Sequence, residues 1–161
     1  MDLFNKTSVL FVCLGNICRS PAAEGILKQM AKQKGILQNL LIDSAGIGSW
    51  HAGQLPDRRM RICGEKNGYD FSSVARQLNK RDFERFDYII VMDEDNYRDV
   101  RLRCPNSEYL KKIHKIKEYF TKYKNYQTVP DPYYGSMDDF QLAINLLEDA
   151  CSTFLLRLSN S

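Results

Sequence analysis

With 161 residues, 43% hydrophobic content and 27% charged residues, the chain is long enough for one compact α/β domain. That domain is expected to span 1–161 with a substantial core, and no second domain is needed. A formal charge of +3 is too small to argue for nucleic acid as a partner, although it helps attract phosphorylated molecules.

The N-terminal stretch MDLFNKTSVL lacks the basic region, long hydrophobic stretch and small-residue cleavage site of a secretory leader. No later segment is apolar over a membrane-spanning length, so no membrane contact is expected. The five cysteines are odd in number and irregularly spaced, which fits a reducing compartment better than a disulfide scaffold. The expected location is the cytoplasm.

Val9 to Val12 is a β-branched, apolar run that predicts the first strand. It leads through Cys13, Leu14, Gly15, Asn16, Ile17, Cys18 and Arg19 into SPAAEGILKQMAKQK, a predicted helix ending near Gly35. Ser20 and Pro21 suit its N-cap and first turn. Leu40 to Asp43 predicts a second strand. Pro56 starts a short helix through PDRRMRICGEKNG that Gly68 terminates, and Phe83 and Phe86 fall in the connection that follows. Asp87 to Met92 reads as a central strand, because Tyr88, Ile89, Ile90 and Val91 form a continuous apolar run. Residues 94–126 are charged and tyrosine-rich, with helical stretches around Asp95 to Arg103 and Ile113 to Tyr119.

The last segment, DDFQLAINLLEDACSTFLLRL, places Phe140, Ile144, Leu147, Cys151, Phe154, Leu155 and Leu158 on a 3.6-residue stripe. Alternating strands and helices imply a three-layer α/β fold, a short parallel sheet of about four strands with helices on both faces. Ligands in such sheets bind beyond the carboxyl ends of the strands, where Cys13, Asp43 and Asp93 are expected to emerge.

The spacing Cys-x5-Arg occurs twice, as Cys13 with Arg19 and as Cys151 with Arg157. The second copy lies inside the last helix, whose amides are committed to helical hydrogen bonds. The first follows a strand and contains Gly15 and Asn16, the residue types that most easily take positive φ. Its amides are free to form a concave anion nest. A helix N-terminus and the Arg19 guanidinium add positive potential at the same point. Such surroundings favour thiolate over thiol and lower a cysteine pKa from ~8.5 to as little as ~3.5. The planar Arg19 fork also matches phosphoryl oxygens in a bidentate way that lysine does not. An oxyanion-binding nucleophile site explains these features together; a buried cysteine beside a solvated arginine leaves them as coincidences.

A thiolate that attacks phosphorus needs a proton donor for the leaving group. Asp131, stiffened between Pro130 and Pro132, is the best candidate, although proline-flanked aspartates are also turn formers. His51 and His114 show no zinc-type spacing with cysteines, and each reads most simply as a surface or structural residue.

The stretch VCLGNICRSPAAE resembles the phosphate-binding loop of the low-molecular-weight protein tyrosine phosphatases, and DPYYG at 131–135 resembles their general-acid segment. Further similarity runs through DSAG at 43–46, the Trp50 region, VARQL at 74–78, FDYIIVMD at 86–93 and the last helix. The resemblance implies hydrolysis of phosphotyrosine and small aryl phosphates through a cysteinyl-phosphate, with Cys13, Arg19 and Asp131 catalytic. It implies phosphotyrosine-containing proteins as partners, an oxyanion held in the loop, a monomer or weak homodimer, and no metal or organic cofactor.

By the same resemblance Leu14, Trp50 and Tyr133, with Tyr134 beside them, wall the cleft, and Gly15, Ile17 and Cys18 belong to the phosphate cradle. Asn16 fixes the loop, Ser20 donates to the thiolate, Ser44 supports Asn16, and Asp93 supports the site; turn or cap chemistry is the plainer alternative for Asn16, Ser20 and Ser44. Cys18 either forms a reversible disulfide with Cys13, as the resemblance implies, or is a small buried residue. Many family members have His where this chain has Ser73, so weaker or differently wired support of the loop is expected.

Two other readings stay open. An arsenate reductase would use the same loop but needs a close pair of relay cysteines, whereas Cys63 and Cys104 are isolated. A non-catalytic phosphate-binding module would dispense with Cys13 and Asp131.

Overall fold

In the computed structural model, which describes residues 6–160, four parallel strands form one sheet in the order β2-β1-β3-β4. The strands are β1 (Thr7–Cys13), β2 (Leu40–Gly46), β3 (Tyr88–Val91) and β4 (Ile113–Lys115). The helices are α1 (Arg19–Gln33), α2 (Arg58–Lys66), α3 (Lys80–Arg85), α4 (Glu94–Arg103) and α5 (Met137–Ser159). The part of the single-domain expectation that covers residues 1–5 and 161 lies outside the described residues.

Alternation along β1 builds both halves of the core. Val9, Phe11 and Cys13 face one way, against Ala22, Ala23, Ile26 and Leu27 of α1, Met60 of α2 and the apolar stripe of α5. Leu10 and Val12 face the other, against Phe83 of α3 and Val100 of α4. Each fully buried aliphatic side chain of this kind stabilises the fold by roughly 1.5–3 kcal/mol. The three-layer α/β architecture expected from the sequence is the one observed.

Several boundaries differ from the sequence reading. β2 continues three residues past Asp43, because Ser44, Ala45 and Gly46 pair with Phe11, Val12 and Cys13. Asp43 therefore lies mid-strand, ion-paired with Arg76 at 3.0 Å, and does not emerge at the strand ends. Phe83 belongs to a short helix closed by a capping box between Asn79 and Asp82. The second helix starts at Arg58 with Asp57 as its cap. Ile113 to Lys115 is the fourth strand rather than helix, since pairing with Ile89 to Val91 outweighs local propensity, and a 3-10 turn follows from Ile116 to Tyr119.

Phe71, in the segment after α2, ties the site-bearing helices together. Its ring edge would lie 2.6 Å from a Cβ placed on Gly25 of α1, and the opposite edge 2.6 Å from one on Gly64 of α2. Both helices approach the ring closely because neither position carries a side chain. Gly64→Ala gains about 1 kcal/mol of helix propensity, but overpacking a buried ring costs typically 1–3 kcal/mol. The expected outcome is net destabilisation in urea unfolding, which shrinks when Phe71 is also replaced by Leu.

Candidate active site

The loop from Cys13 to Arg19 is held open from behind. Cys13 and Leu14 carbonyls accept from the amides of Ile47 and Gly48, both at 2.9 Å, and the Ile17 carbonyl accepts from Asp57 at 2.7 Å. A trans peptide sets N–H opposite C=O, so anchoring the carbonyls outward leaves the amide side for the cleft. Among the described residues, the amides of residues 14 to 18 donate to no backbone acceptor. Of the two residues expected to favour positive φ, Asn16 adopts it, at 59°, whereas Gly15 does not. Gly15 instead lets the His51 ring pack closely, because a Cβ there would lie 3.0 Å from it.

The Asn16 side chain is fixed at both ends. Its Oδ1 accepts from the Arg76 amide at 3.0 Å, and its Nδ2 donates to Ser20 Oγ at 2.7 Å and Ser44 Oγ at 2.9 Å. Ser20 is not the helix cap expected from the sequence. Cys18 occupies that position without a side-chain cap bond, and the Ser20 hydroxyl is spent on Asn16 and on Cys13 Sγ, 3.0 Å away. Since Asn16 donates to Ser20, the hydrogen of Ser20 is left for the sulfur, the polarity a thiolate needs.

Arg19 is 2% exposed. One terminal nitrogen donates to Asp93 Oδ2 at 2.6 Å and to the Val129 carbonyl at 3.0 Å, and the other lies 3.6 Å from Asp131 Oδ2. Asp93 is itself fixed as the α4 cap, accepting from the Asn96 amide at 2.7 Å. The Arg19 Nε–H is buried and has no hydrogen-bond partner in the protein. Burial by itself would lower the Arg19 pKa, but Cys13, the hydrogen-bonded Asp93 and then Asp131 hold it above its ordinary value. Cys18 differs in kind from an activated thiol: burial first, then the charge of Asp57, pushes its pKa well up.

These groups open onto a cleft of about 350 Å³ lined by Cys13, Arg19, Asp131, Trp50, His51 and Tyr133, among others. Leu14, Gly15, Ile17, Cys18 and Tyr134 complete its lining. Asp131 Oδ1 accepts from the Tyr133 amide at 3.1 Å in a tight turn, while Oδ2 faces Arg19 at 3.6 Å. Trp50 is 68% exposed and Tyr134 95%, so both present ring surface at the rim. The Tyr133 and Tyr134 rings meet edge to face at 4.8 Å.

The chain matches the family model for low molecular weight phosphotyrosine protein phosphatase over residues 8–161. The chain belongs to this family. A Synechocystis relative provisionally assigned to the low molecular weight protein-tyrosine-phosphatases is 47% identical over 93% of this chain and 95% of its own. The human low molecular weight phosphotyrosine protein phosphatase is 40% identical over 92% and 93%. A crystal structure of a protein tyrosine phosphatase from Entamoeba histolytica, with Hepes in its active site, superposes with a TM-score of 0.93. It is 44% identical, and the match covers 96% of this chain and 98% of that one.

Four features of the site escaped the sequence reading. His51, read from the sequence as a surface or structural residue, forms part of the cleft wall, tilted against Tyr133 at 6.4 Å. Gly48 leaves room for the Trp50 indole, which a Cβ at that position would strike. Arg59 stacks over Tyr133 at 5.5 Å and Phe140 at 4.7 Å, buttressing the cleft wall from behind. Glu24, buried, accepts from Ser44 Oγ at 2.6 Å. The loop network is closed there, while Ser73 lines a separate cavity of about 130 Å³ beside Glu24. The tripeptide GSW at 48–50 and an acidic residue one turn after Ser20 were the available signals.

Arg19→Lys tests the cradle without assuming any reaction. A lysine replaces the fork with one point charge, so Asp93, Val129 and an oxyanion cannot all be served at once. Phosphate or vanadate affinity measured by calorimetry is expected to fall at least about tenfold, the loss of one charge-assisted hydrogen bond, with the fold intact by circular dichroism.

Proposed function

We propose that the chain is a protein tyrosine phosphatase, a cysteine-dependent phosphoric monoester hydrolase acting on phosphotyrosine and small aryl phosphates. The observation that carries this reading is the buried, partnerless Nε–H of Arg19 beside unbonded loop amides and the Cys13 sulfur. A buried guanidinium hydrogen left unpaired is costly, and an equatorial phosphoryl oxygen is the partner that fits.

In the first step Cys13 Sγ forms a bond to phosphorus while the phosphorus–oxygen bond to the ring breaks in line. Arg19 and the amides of residues 14 to 18 hold the equatorial oxygens throughout. The leaving phenolate takes a proton from Asp131. In the second step Asp131 removes a proton from water, which attacks phosphorus, and the sulfur leaves as thiolate stabilised by Ser20. Leu14, Trp50, His51 and Tyr133 offer the phenol ring apolar and aromatic contact. Phenol, with a pKa near ~10, is a far better leaving group than an aliphatic alcohol.

Phosphotyrosine-containing proteins are the partners on this reading, and the chain acts as a monomer or weak homodimer through a single domain. Five free cysteines support a reducing, cytoplasmic setting, and among the described residues no helix is long and apolar enough to cross a membrane. Arsenate reduction is disfavoured, because Cys63 is buried in α2 whereas Cys104 follows α4, so they form no relay pair near the cleft. A binding module has no use for Asp131 at the cleft mouth.

Hydrolysis of phenyl phosphate and p-nitrophenyl phosphate by wild type, Cys13→Ser and Asp131→Ala tests the mechanism. Cys13→Ser is expected to lose activity on both. Asp131→Ala should lose roughly 10²- to 10⁴-fold on phenyl phosphate, the range of general acid catalysis, and much less on the nitrophenyl ester, whose leaving group needs no proton. Full activity in Cys13→Ser would eliminate the covalent route, and an Asp131→Ala loss independent of leaving group would reduce that residue to a structural role.

A further inference from the structure

Glu24 lies one turn beyond Ser20 on α1 and is 4% exposed. Its Oε1 accepts from Ser44 Oγ at 2.6 Å and its Oε2 from Lys28 Nζ at 2.6 Å. A buried carboxylate this close to the loop is costly unless it is paired and hydrogen-bonded, and nothing in the reaction uses it directly. We propose that Glu24 is a positioning residue for the Cys13 thiolate, acting through Ser44, Asn16 and Ser20. The proposal deepens the phosphatase reading and rests on it.

The hydrogen inventory supplies the argument. A carboxylate has no hydrogen to give, so Ser44 must donate to Glu24 and keep its lone pairs for Asn16. The Asn16 amide cannot flip, because its Oδ1 is held by the Arg76 amide at 3.0 Å. Its two Nδ2 hydrogens therefore go to Ser44 and Ser20. Ser20 has one hydrogen left, and Cys13 Sγ at 3.0 Å is a nearer acceptor than the Ala45 carbonyl at 3.5 Å. The chain runs both ways from the Asn16 amide: on one side Ser44 accepts from it and passes its own hydrogen to Glu24, on the other Ser20 accepts from it and passes its own to the sulfur.

Remove that end and Ser44 becomes free to turn its hydrogen toward Asn16, which displaces the amide and with it the donor to Ser20. The charged groups around Glu24 are Lys28 on α1 and Asp70 on the segment after α2, with Ser72 and Ser73 beside them. None of these neighbours reaches Ser44 by a hydrogen bond, so none substitutes for Glu24.

The sign of the effect separates this role from simple electrostatics. Deleting a nearby negative charge by itself favours a thiolate and lowers the pH at which Cys13 ionises. Losing the directed hydrogen bond does the opposite.

The test is the pH dependence of Cys13 alkylation by iodoacetate, quantified on the Cys13-containing peptide, with aryl phosphatase kinetics measured on the same proteins. In Glu24→Leu and in Ser44→Ala the alkylation midpoint is expected to move upward by about one pH unit, a tenfold loss of thiolate below the midpoint. kcat falls more than KM changes. Glu24→Gln keeps a carbonyl acceptor for Ser44 and should stay within about threefold of wild type, and the Glu24→Leu/Ser44→Ala double variant should shift no further than either single.

A wild-type or lowered midpoint in either Glu24→Leu or Ser44→Ala overturns the proposal, whatever happens to thermal stability. An upward shift in Glu24→Gln as large as in Glu24→Leu overturns it too. Should Glu24→Leu fail to fold, Ser44→Ala and Glu24→Gln decide the matter. The alkylation midpoint is read without turnover, so these outcomes are distinct from failure of the phosphatase reading, which is retained activity in Cys13→Ser.

Discussion

Aiming several backbone N–H dipoles and a guanidinium at one point is unfavourable unless something holds them there. Left alone, such a loop would relax by turning its amides toward its own carbonyls or toward water. The structure prevents this by occupying the carbonyls first: Ile47, Gly48 and Asp57 amides bind the outward faces of the loop peptides. Asn16 supplies the reversal in chain direction, at φ 59°, and its side chain is bonded to Ser20, Ser44 and the Arg76 amide. A left-handed residue is mildly strained, and Asn is among the residue types that tolerate it best. Arg76 is in turn clamped by Asp82 at 2.9 Å and Asp43 at 3.0 Å, so the support for the loop reaches across β2 to the start of α3.

The same logic governs Arg19. Its charge is balanced before any ligand arrives, by Asp93 and, more distantly, by Asp131. Full neutralisation would abolish anion binding, and none at all would make burial of the guanidinium prohibitive. Dividing the donors resolves the conflict: one nitrogen is committed to Asp93 and Val129, while Nε–H stays unpaired. Asp131 faces the remaining nitrogen at a longer distance, from a proline-stiffened loop at the cleft mouth. It therefore faces the guanidinium while remaining partly open to solvent.

What the sequence made legible was whatever a local pattern encodes. The apolar run before Cys13, the helical stripe of α5 and the continuous core strand around Ile89 and Ile90 all act through near neighbours, and each falls where expected. The positive φ of Asn16 was legible for the same reason. What escaped depends on tertiary pairing. β4 is three residues long and exists because β3 offers it an edge. β2 outruns Asp43 because β1 supplies partners for its last three residues. Ser20 has the composition of a helix cap but is drawn to the sulfur and Asn16 instead. His51 read as a surface or structural residue because its neighbour across the cleft, Tyr133, is over eighty residues away in the chain. Serine at position 73 pointed to weaker or differently wired support, and behind Asn16 the hydrogen-bonded chain ends on Glu24.

The two copies of Cys-x5-Arg make the physical point most directly. Cys151 sits in α5 fully surrounded by the core, where its sulfur makes a long contact to the Ala23 carbonyl, 3.8 Å away, and burial drives its thiol pKa well up. Arg157, six residues on, is exposed on the far side of the helix and bonds the Glu118 carbonyl. In a helix six residues span about one and two-thirds turns, so cysteine and arginine at this spacing point away from each other. In the loop the same spacing closes around a point, because residue 16 reverses the chain and α1 begins at Arg19. Spacing therefore selects an oxyanion site only where the backbone between the two residues is bent back on itself. That bend is maintained by side chains from β2 and α1 and by a backbone amide from the segment after α2, so the environment of Cys13 is a property of the whole sheet edge and not of the loop alone.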